Sequence, residues 1–320
     1  MIIQDMKLRK CVYLMCSAMM TFLMVGCTQN EIPEVYPDGT GQIRFGVDGI
    51  SEDRLMTRAS SGYHDWNATS DPQTMGAFGF CGGEWIEANK VFDNKEIRYN
   101  SSSASSCKWE YSPLKYWGEY FDRGRMDFLA YMPYKAGVTL TNEGNEYSIN
   151  FPEMPGYTLN ANDLVLACHT PVGYEDAYNH FTPVPMQFDQ VYNKFDIQFK
   201  LDPKMAELRT LRIVKVEVTS IPKTVTISQK YTFADNSWAK GAVVCTPKDE
   251  EVEDLVLQYR NNEDTDWEGG IRIGYCQTSD DRTKYTSFGK PFYMVPISSL
   301  TSFEPELKVT YIVYDEDKYE

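Results

Sequence analysis

Histidine is nearly missing from this chain: 320 residues hold three, His64, His169 and His180. None stands in an HExxH or comparable ligand spacing, which excludes the metal sites built on that spacing. There is no GxSxG elbow and no P-loop, so the hydrolase and nucleotide-binding readings that rest on those motifs fall away. Carboxylates are plentiful, as in any acidic chain, and single out no catalytic pair. Catalysis is therefore not expected. Cysteine is sparse once the leader is set aside. Cys11 and Cys16 lie within an apolar leader and Cys27 at its end, which leaves Cys81, Cys107, Cys168, Cys245 and Cys276. These five are odd in number, far apart and without a CxxC pair, which argues against a zinc site or a dense disulfide framework. They read as buried small hydrophobes, with room for one bridge in an oxidising compartment that the spacing does not choose. Positive charge is also short: 31 Lys and Arg face 46 Asp and Glu, for a net charge of −15. Such a surface repels nucleic acid phosphates and anionic lipid heads, so neither is an expected partner. No long segment carries a helical apolar period, so coiled-coil and βαβ architectures drop out. Asn262, Asp264, Asp266 and Glu268 match a calcium loop in composition, yet Trp267 stands where an EF-hand needs glycine. The loop reads as an acidic hairpin, and no metal or cofactor is expected.

What the chain does hold is aromatic and apolar residues in short runs. There are 22 Tyr and 16 Phe within a hydrophobic share of 42%. That is enough for a sizeable core and favours strands over helices. The length suits one large domain or two ordinary ones. Residues 75–81 (MGAFGFC), 126–132 (MDFLAYM, ended by Pro133), 147–151 and 163–168 read as buried strands. A turn-rich tract at 171–185, with Gly173, Pro183 and Pro185, marks a domain boundary. The two domains then run over 42–182 and 183–320. Beyond it the alternation is clean. Phe195, Ile197, Phe199 and Leu201 face one side; Val214, Val216 and Val218 alternate with Lys215 and Glu217; Val225 and Ile227 alternate with threonines. Further strands are predicted at 255–259, 271–275, 292–297 and 307–314. Period-two alternation at these spacings describes an all-β fold of sandwich type, one face of each sheet buried and one wet.

Residues 1–26 read as a secretory leader. Lys7, Arg9 and Lys10 form its basic start, and 11–25 is an apolar run too short to span a bilayer comfortably. The run ends in Leu23-Met24-Val25-Gly26-Cys27, which resembles a bacterial lipobox and predicts acylation of Cys27, enough for stable anchoring. Residues 27–41, with Pro33, Pro37 and Gly39, read as a flexible tether. The stretch 42–59 then organises the whole. It opens as a strand, Gln42-Ile43-Arg44-Phe45-Gly46-Val47, with Ile43, Phe45 and Val47 on one face. It ends in the polar tract Glu52-Asp53-Arg54-Leu55-Met56-Thr57-Arg58-Ala59. A first strand tied to a lipid anchor and followed by a cuttable arginine reads as a removable part. Its loss opens a groove that a strand from another chain enters.

Several phrases, in order, carry a family resemblance. They are Ile43-Arg44-Phe45-Gly46-Val47 followed by Thr57-Arg58-Ala59; Lys115-Tyr116-Trp117 leading to Met126-Asp127-Phe128-Leu129-Ala130-Tyr131-Met132-Pro133; Asp163-Leu164-Val165-Leu166-Ala167; and Val184-Pro185-Met186-Gln187-Phe188 leading into 195–199. Together, after a lipobox, they resemble the fimbrillin family of Bacteroidota, the Mfa-like and FimA-like lipoproteins. The resemblance covers nearly all of the chain after Cys27. It implies two tandem transthyretin-like β-sandwich domains and export as an outer-membrane lipoprotein at the cell surface. It also implies trimming by an Arg-specific protease and polymerisation with other fimbrial subunits by strand exchange into a type V pilus serving adhesion. On this sequence the lipid site is Cys27 and the scissile bond Arg58–Ala59, with Arg54–Leu55 as a second cut. The strand lost includes Ile43, Phe45 and Val47. The donor candidate is the C-terminal strand bearing Leu307, Val309, Tyr311 and Val313.

The chain stops at Glu320, soon after that strand, so shaft, tip and anchor roles all stay open. The rival reading is a surface lipoprotein that remains monomeric and binds a glycan or host ligand. Trp117, Phe128 and Tyr131 are candidates for a glycan platform, although their apolar, strand-like surroundings place them in the core.

Overall fold

The apolar runs and the alternating tracts become strands. The computed structural model describes residues 41–51, 63–64, 72–103, 108–120, 122–159, 167–169, 172–174, 183–202, 204, 209–257, 271–273, 286–296 and 303–315. In chain order the strands are β1 (Phe45–Ser51), β2 (Tyr63–His64), β3 (Thr74–Cys81), β4 (Lys90–Tyr99), β5 (Trp109–Glu110) and β6 (Met126–Met132). Next come β7 (Thr139–Glu143), β8 (Glu146–Pro155), β9 (Tyr157–Thr158), β10 (Ala167–His169), β11 (Val172–Tyr174), β12 (Val184–Gln190) and β13 (Asn193–Phe199). The rest are β14 (Arg209–Pro222), β15 (Thr224–Ala234), β16 (Ser237–Pro247), β17 (Val252–Leu257), β18 (Ile271–Ile273), β19 (Thr286–Met294) and β20 (Glu306–Asp315). Single turns of 3-10 helix at Glu87–Asn89 and Trp117–Glu119 interrupt them. The fold is all-β.

The largest sheet has nine strands in the order β2-β1-β12-β10-β6-β3-β4-β5, with β11 also on β6. Its central strands β3 and β6 are buried at almost every position. That explains why TMGAFGFC and MDFLAYM show no alternation: both faces of this sheet are covered. On one face Met75, Ala77, Phe128, Ala130 and Met132 join a cluster with Phe92, Trp117 and Phe188. On the other, Phe78, Phe80, Leu129 and Tyr131 pack with Tyr147, Ile149 and Phe151 of β8. Close packing fixes some small residues. A Cβ on Gly76 would sit 2.3 Å from the Tyr131 ring, so that ring lies over bare backbone.

A four-stranded sheet runs β16-β15-β8-β7, and a three-stranded one runs β13-β19-β9. The β15–β16 hairpin turns on Asp235 and Asn236, both at positive φ (52° and 58°), as a two-residue turn with its primed geometry requires. In the last sheet β14 is central. β20 follows one of its edges from Arg209↔Asp315 to Thr219↔Glu306, and β17 and β18 share the other. Ladders join residues on either side of position 182: β1 pairs with β12, and β8 with β15.

The leading strand differs from its prediction in one respect. The regular part is Phe45–Ser51, not 42–47. Residues 41–43 are extended but pair elsewhere, with 115–117, and the ladder to β12 begins only at Phe45. A register shift between Val47 and Gly49 then carries the strand on to Ser51.

Candidate functional site

The leading segment lies in a slot with two backbone edges. On one side the Trp117 amide donates to the Gly41 carbonyl and the Ile43 amide donates to the Lys115 carbonyl, both at 2.9 Å. Gln42 and Tyr116 form an antiparallel bridge there. On the other side the Val184 amide donates to the Arg44 carbonyl at 2.7 Å. From Phe45 onward the segment runs parallel to β12, with Phe45 opposite Val184 and Val47 opposite Met186.

The floor of the slot is aromatic. Ile43 and Phe45 are wholly buried, and Val47 is half-buried against the same cluster. The Phe45 ring meets Phe92 at 5.4 Å and Tyr111 and Phe128 at 5.8 Å, each edge to face. Such pairs add to the burial of the ring itself. The Tyr111 hydroxyl donates to the Ile43 carbonyl at 2.6 Å. Taking this segment away leaves apolar side chains and ladder groups of β12 and 115–117 without partners. An extended chain of matching pattern satisfies the same groups.

The predicted residues fall as follows. Ile43, Phe45 and Val47 line one face of the segment and enter the core together. Trp117, Phe128 and Tyr131 are core residues, at 2%, 0% and 0% exposure, and are closed to a ligand. Leu307, Val309, Tyr311 and Val313 lie on β20; Leu307, Tyr311 and Val313 are exposed, and Val309 is partly buried against the core. Cys81 and Cys245 are buried. Cys27, the bonds Arg54–Leu55 and Arg58–Ala59, the acidic loop at 262–268 and His180 lie outside the described residues.

Sequence reasoning missed Tyr111, Lys115 and Tyr116 as walls of the slot, and β12 as its second edge. One signal was present. Tyr111-Ser112-Pro113-Leu114-Lys115 and Tyr131-Met132-Pro133-Tyr134-Lys135 repeat a Tyr-x-Pro-x-Lys spacing. In both, the tyrosine hydroxyl turns back onto the backbone of the lysine four residues later.

Elsewhere, an open hollow on the outer face of the four-stranded sheet is lined by Thr139, Asn150, Thr226, Ser228 and Thr246. Its polar groups are engaged: Ser228 Oγ donates to Asn150 Oδ1 at 2.8 Å, and Asn150 Nδ2 donates to Thr141 Oγ1, outside the hollow, at 3.0 Å.

Comparison with known proteins adds the following. The family model described as "Fimbrillin-like" matches residues 57–313. A curated relative, "Fimbrium subunit Fim1C" of Phocaeicola vulgatus, is 23% identical over 316 residues, covering 88% of this chain and 76% of that protein. No solved structure matches the chain.

Proposed function

The chain belongs to the fimbrillin-like family, and on that premise we propose that it is a subunit or accessory component of a fimbrium, built into it by strand exchange. The relative named as a fimbrium subunit supports the same reading. In it, Cys27 carries the acyl chains that hold the exported protein on the outer membrane. An Arg-specific protease cuts after Arg58, or after Arg54. The segment before the cut is then held by non-covalent contacts alone, and a strand from another subunit replaces it. The assembled fimbrium serves adhesion.

The observation that carries this reading is the slot. Residues 41–47 bond to different backbone on each side while Ile43 and Phe45 fill an aromatic floor. Burying each of these side chains stabilises by roughly 1.5–3 kcal/mol, and each backbone bond adds about 0.5–1.5 kcal/mol. A competing strand with the same alternation can match both terms. The test is to treat the purified protein with an Arg-specific protease, sequence the new N-terminus and run the product unboiled on gels. A start at Ala59, or at Leu55, followed by a ladder of multimers is expected. A start elsewhere, or a single monomer band after correct cutting, overturns the reading.

A second reading draws on one observation. β20, the donor candidate, already forms a ladder with β14 from Arg209↔Asp315 to Thr219↔Glu306. A chain that keeps β20 in place stays a monomeric surface lipoprotein, binding a glycan or host ligand. The monomer band in the same experiment favours it.

A further inference from the structure

The two Tyr-x-Pro-x-Lys turns are built alike but close on different things. At the second, the Tyr131 hydroxyl donates to Asn94 Oδ1 at 2.5 Å, with the Lys135 carbonyl 2.8 Å away, while the Lys135 amide donates back to it at 3.3 Å. Among the described residues, its hydrogen-bond partners there, Asn94 and Lys135, belong to the body of the protein. At the first, the lysine contacts are longer, 3.3 Å to the Lys115 carbonyl and 3.4 Å from its amide. The short bond instead goes to the Ile43 carbonyl at 2.6 Å. A phenol has one proton to give, so the Tyr111 proton is spent on the leading segment. The same ring also packs edge-on against Phe45 and Phe92, at 5.8 and 5.2 Å. Lys115, the end of the same turn, accepts the Ile43 amide. One five-residue turn therefore holds both the carbonyl and the amide of Ile43.

We propose that Tyr111 is the latch of the slot: a positioning residue whose hydroxyl sets how long residues 41–47 stay in place. The proposal rests on the strand-exchange reading for its purpose but not for its test. The latch grips a backbone carbonyl, so it is indifferent to side-chain identity and holds any extended occupant aligned in the same register. Tyr131 is its built-in control, with the same motif and turn but with its hydroxyl bonded to Asn94 and Lys135 rather than to residues 41–47.

The experiment is residue-resolved hydrogen exchange on the intact, uncut chain, comparing Tyr111→Phe and Tyr131→Phe with the unaltered protein. The informative amides are Ile43, which bonds Lys115, and Val184, which bonds Arg44 from the opposite edge and does not touch the turn. Loss of the latch speeds exchange at both by about tenfold. Tyr131→Phe changes either by less than about twofold and acts near Lys135 instead. A merely structural role at the turn would speed Glu119 and Tyr120, whose amides bond Tyr116 and Trp117, and leave Val184 unmoved. That result overturns the proposal, as does equal acceleration of Val184 by the two variants. Ladder formation by the processed protein tests strand exchange separately, so its absence leaves the exchange result standing.

Discussion

Phe45 is the side chain on which the slot is most exposed to change. It is wholly buried and its ring touches three others. Phe45→Ala is expected to cost about 3–5 kcal/mol where the site does not collapse. The loss falls on the segment first. In urea denaturation the midpoint drops, and after Arg-specific cutting the leading fragment leaves on gel filtration where the unaltered fragment is retained. The tyrosines give a second expectation at this scale. Burial pushes the phenols of Tyr120 and Tyr174 up to about 12, with the charges of Glu119 and Asp48 acting in the same direction. The fold thus favours the neutral phenol. Its contribution is fully present below pH 10, the ordinary tyrosine value, and is lost as pH rises toward 12. Tyr174 packs edge-on against Trp117 and Phe128 beside the slot. Alkaline titration followed by circular dichroism and phenolate absorbance should show late-ionising tyrosines, with loss of structure in that window. Tyr174→Phe removes one late phenol, and an unchanged titration would count against the assignment.

At the level of single elements, legibility followed burial. MGAFGFC and MDFLAYM were plain because both faces of β3 and β6 are covered, which leaves no polar residue to blur the run. The tracts that became β13, β14 and β15 were plain for the opposite reason, alternating because one face is wet, whereas β20 alternates in sequence although over 306–313 only Val309 is not exposed. β4 was not legible. Its sequence KVFDNKEIRY carries charges on exposed and half-exposed positions, and Asn94 takes a positive φ of 46° in mid-strand. The wall at 115–117 was harder still, since it is not a strand. It is the end of a turn whose role appears only when the distant residues 41–43 lie against it. The sequence could propose that β1 and β20 are exchangeable strands, because both alternate, but it could not name their partners. β20 yields the expectation for this scale. Val309 is its partly buried position on the core-facing side. If β20 is the donor, Val309→Asp leaves cutting at the arginine unchanged but suppresses the multimer ladder, since a carboxylate cannot enter an aromatic floor without a large desolvation cost. A ladder equal to that of the unaltered protein removes β20 from the donor role.

For the whole molecule, the sheets are bound by ladders between distant parts of the chain. β1 meets β12 across more than a hundred residues, and β8 meets β15 across the tract read as a boundary. Composition and turn residues located that tract but not what crosses it, because pairing partners are a property of the packed state. Charged contacts also link distant parts. Lys240 bonds Asp189 at 2.8 Å, and the buried Asp127 takes both Arg125 Nε at 2.7 Å and Trp238 Nε1 at 2.8 Å. The Lys240 and Trp238 bonds tie the β15–β16 hairpin to the large sheet that also holds the slot.

The two edges of the slot run in opposite senses. Its occupant is antiparallel to 115–117 and parallel to β12. Turning the occupant around would exchange the evenly slanted and the paired bonding patterns and misalign both at once. The socket therefore accepts its plug one way round. If subunits join by filling it, as proposed, the links are all head-to-tail, and a thread assembled from them would have two unlike ends, one offering an open socket and the other a spare plug.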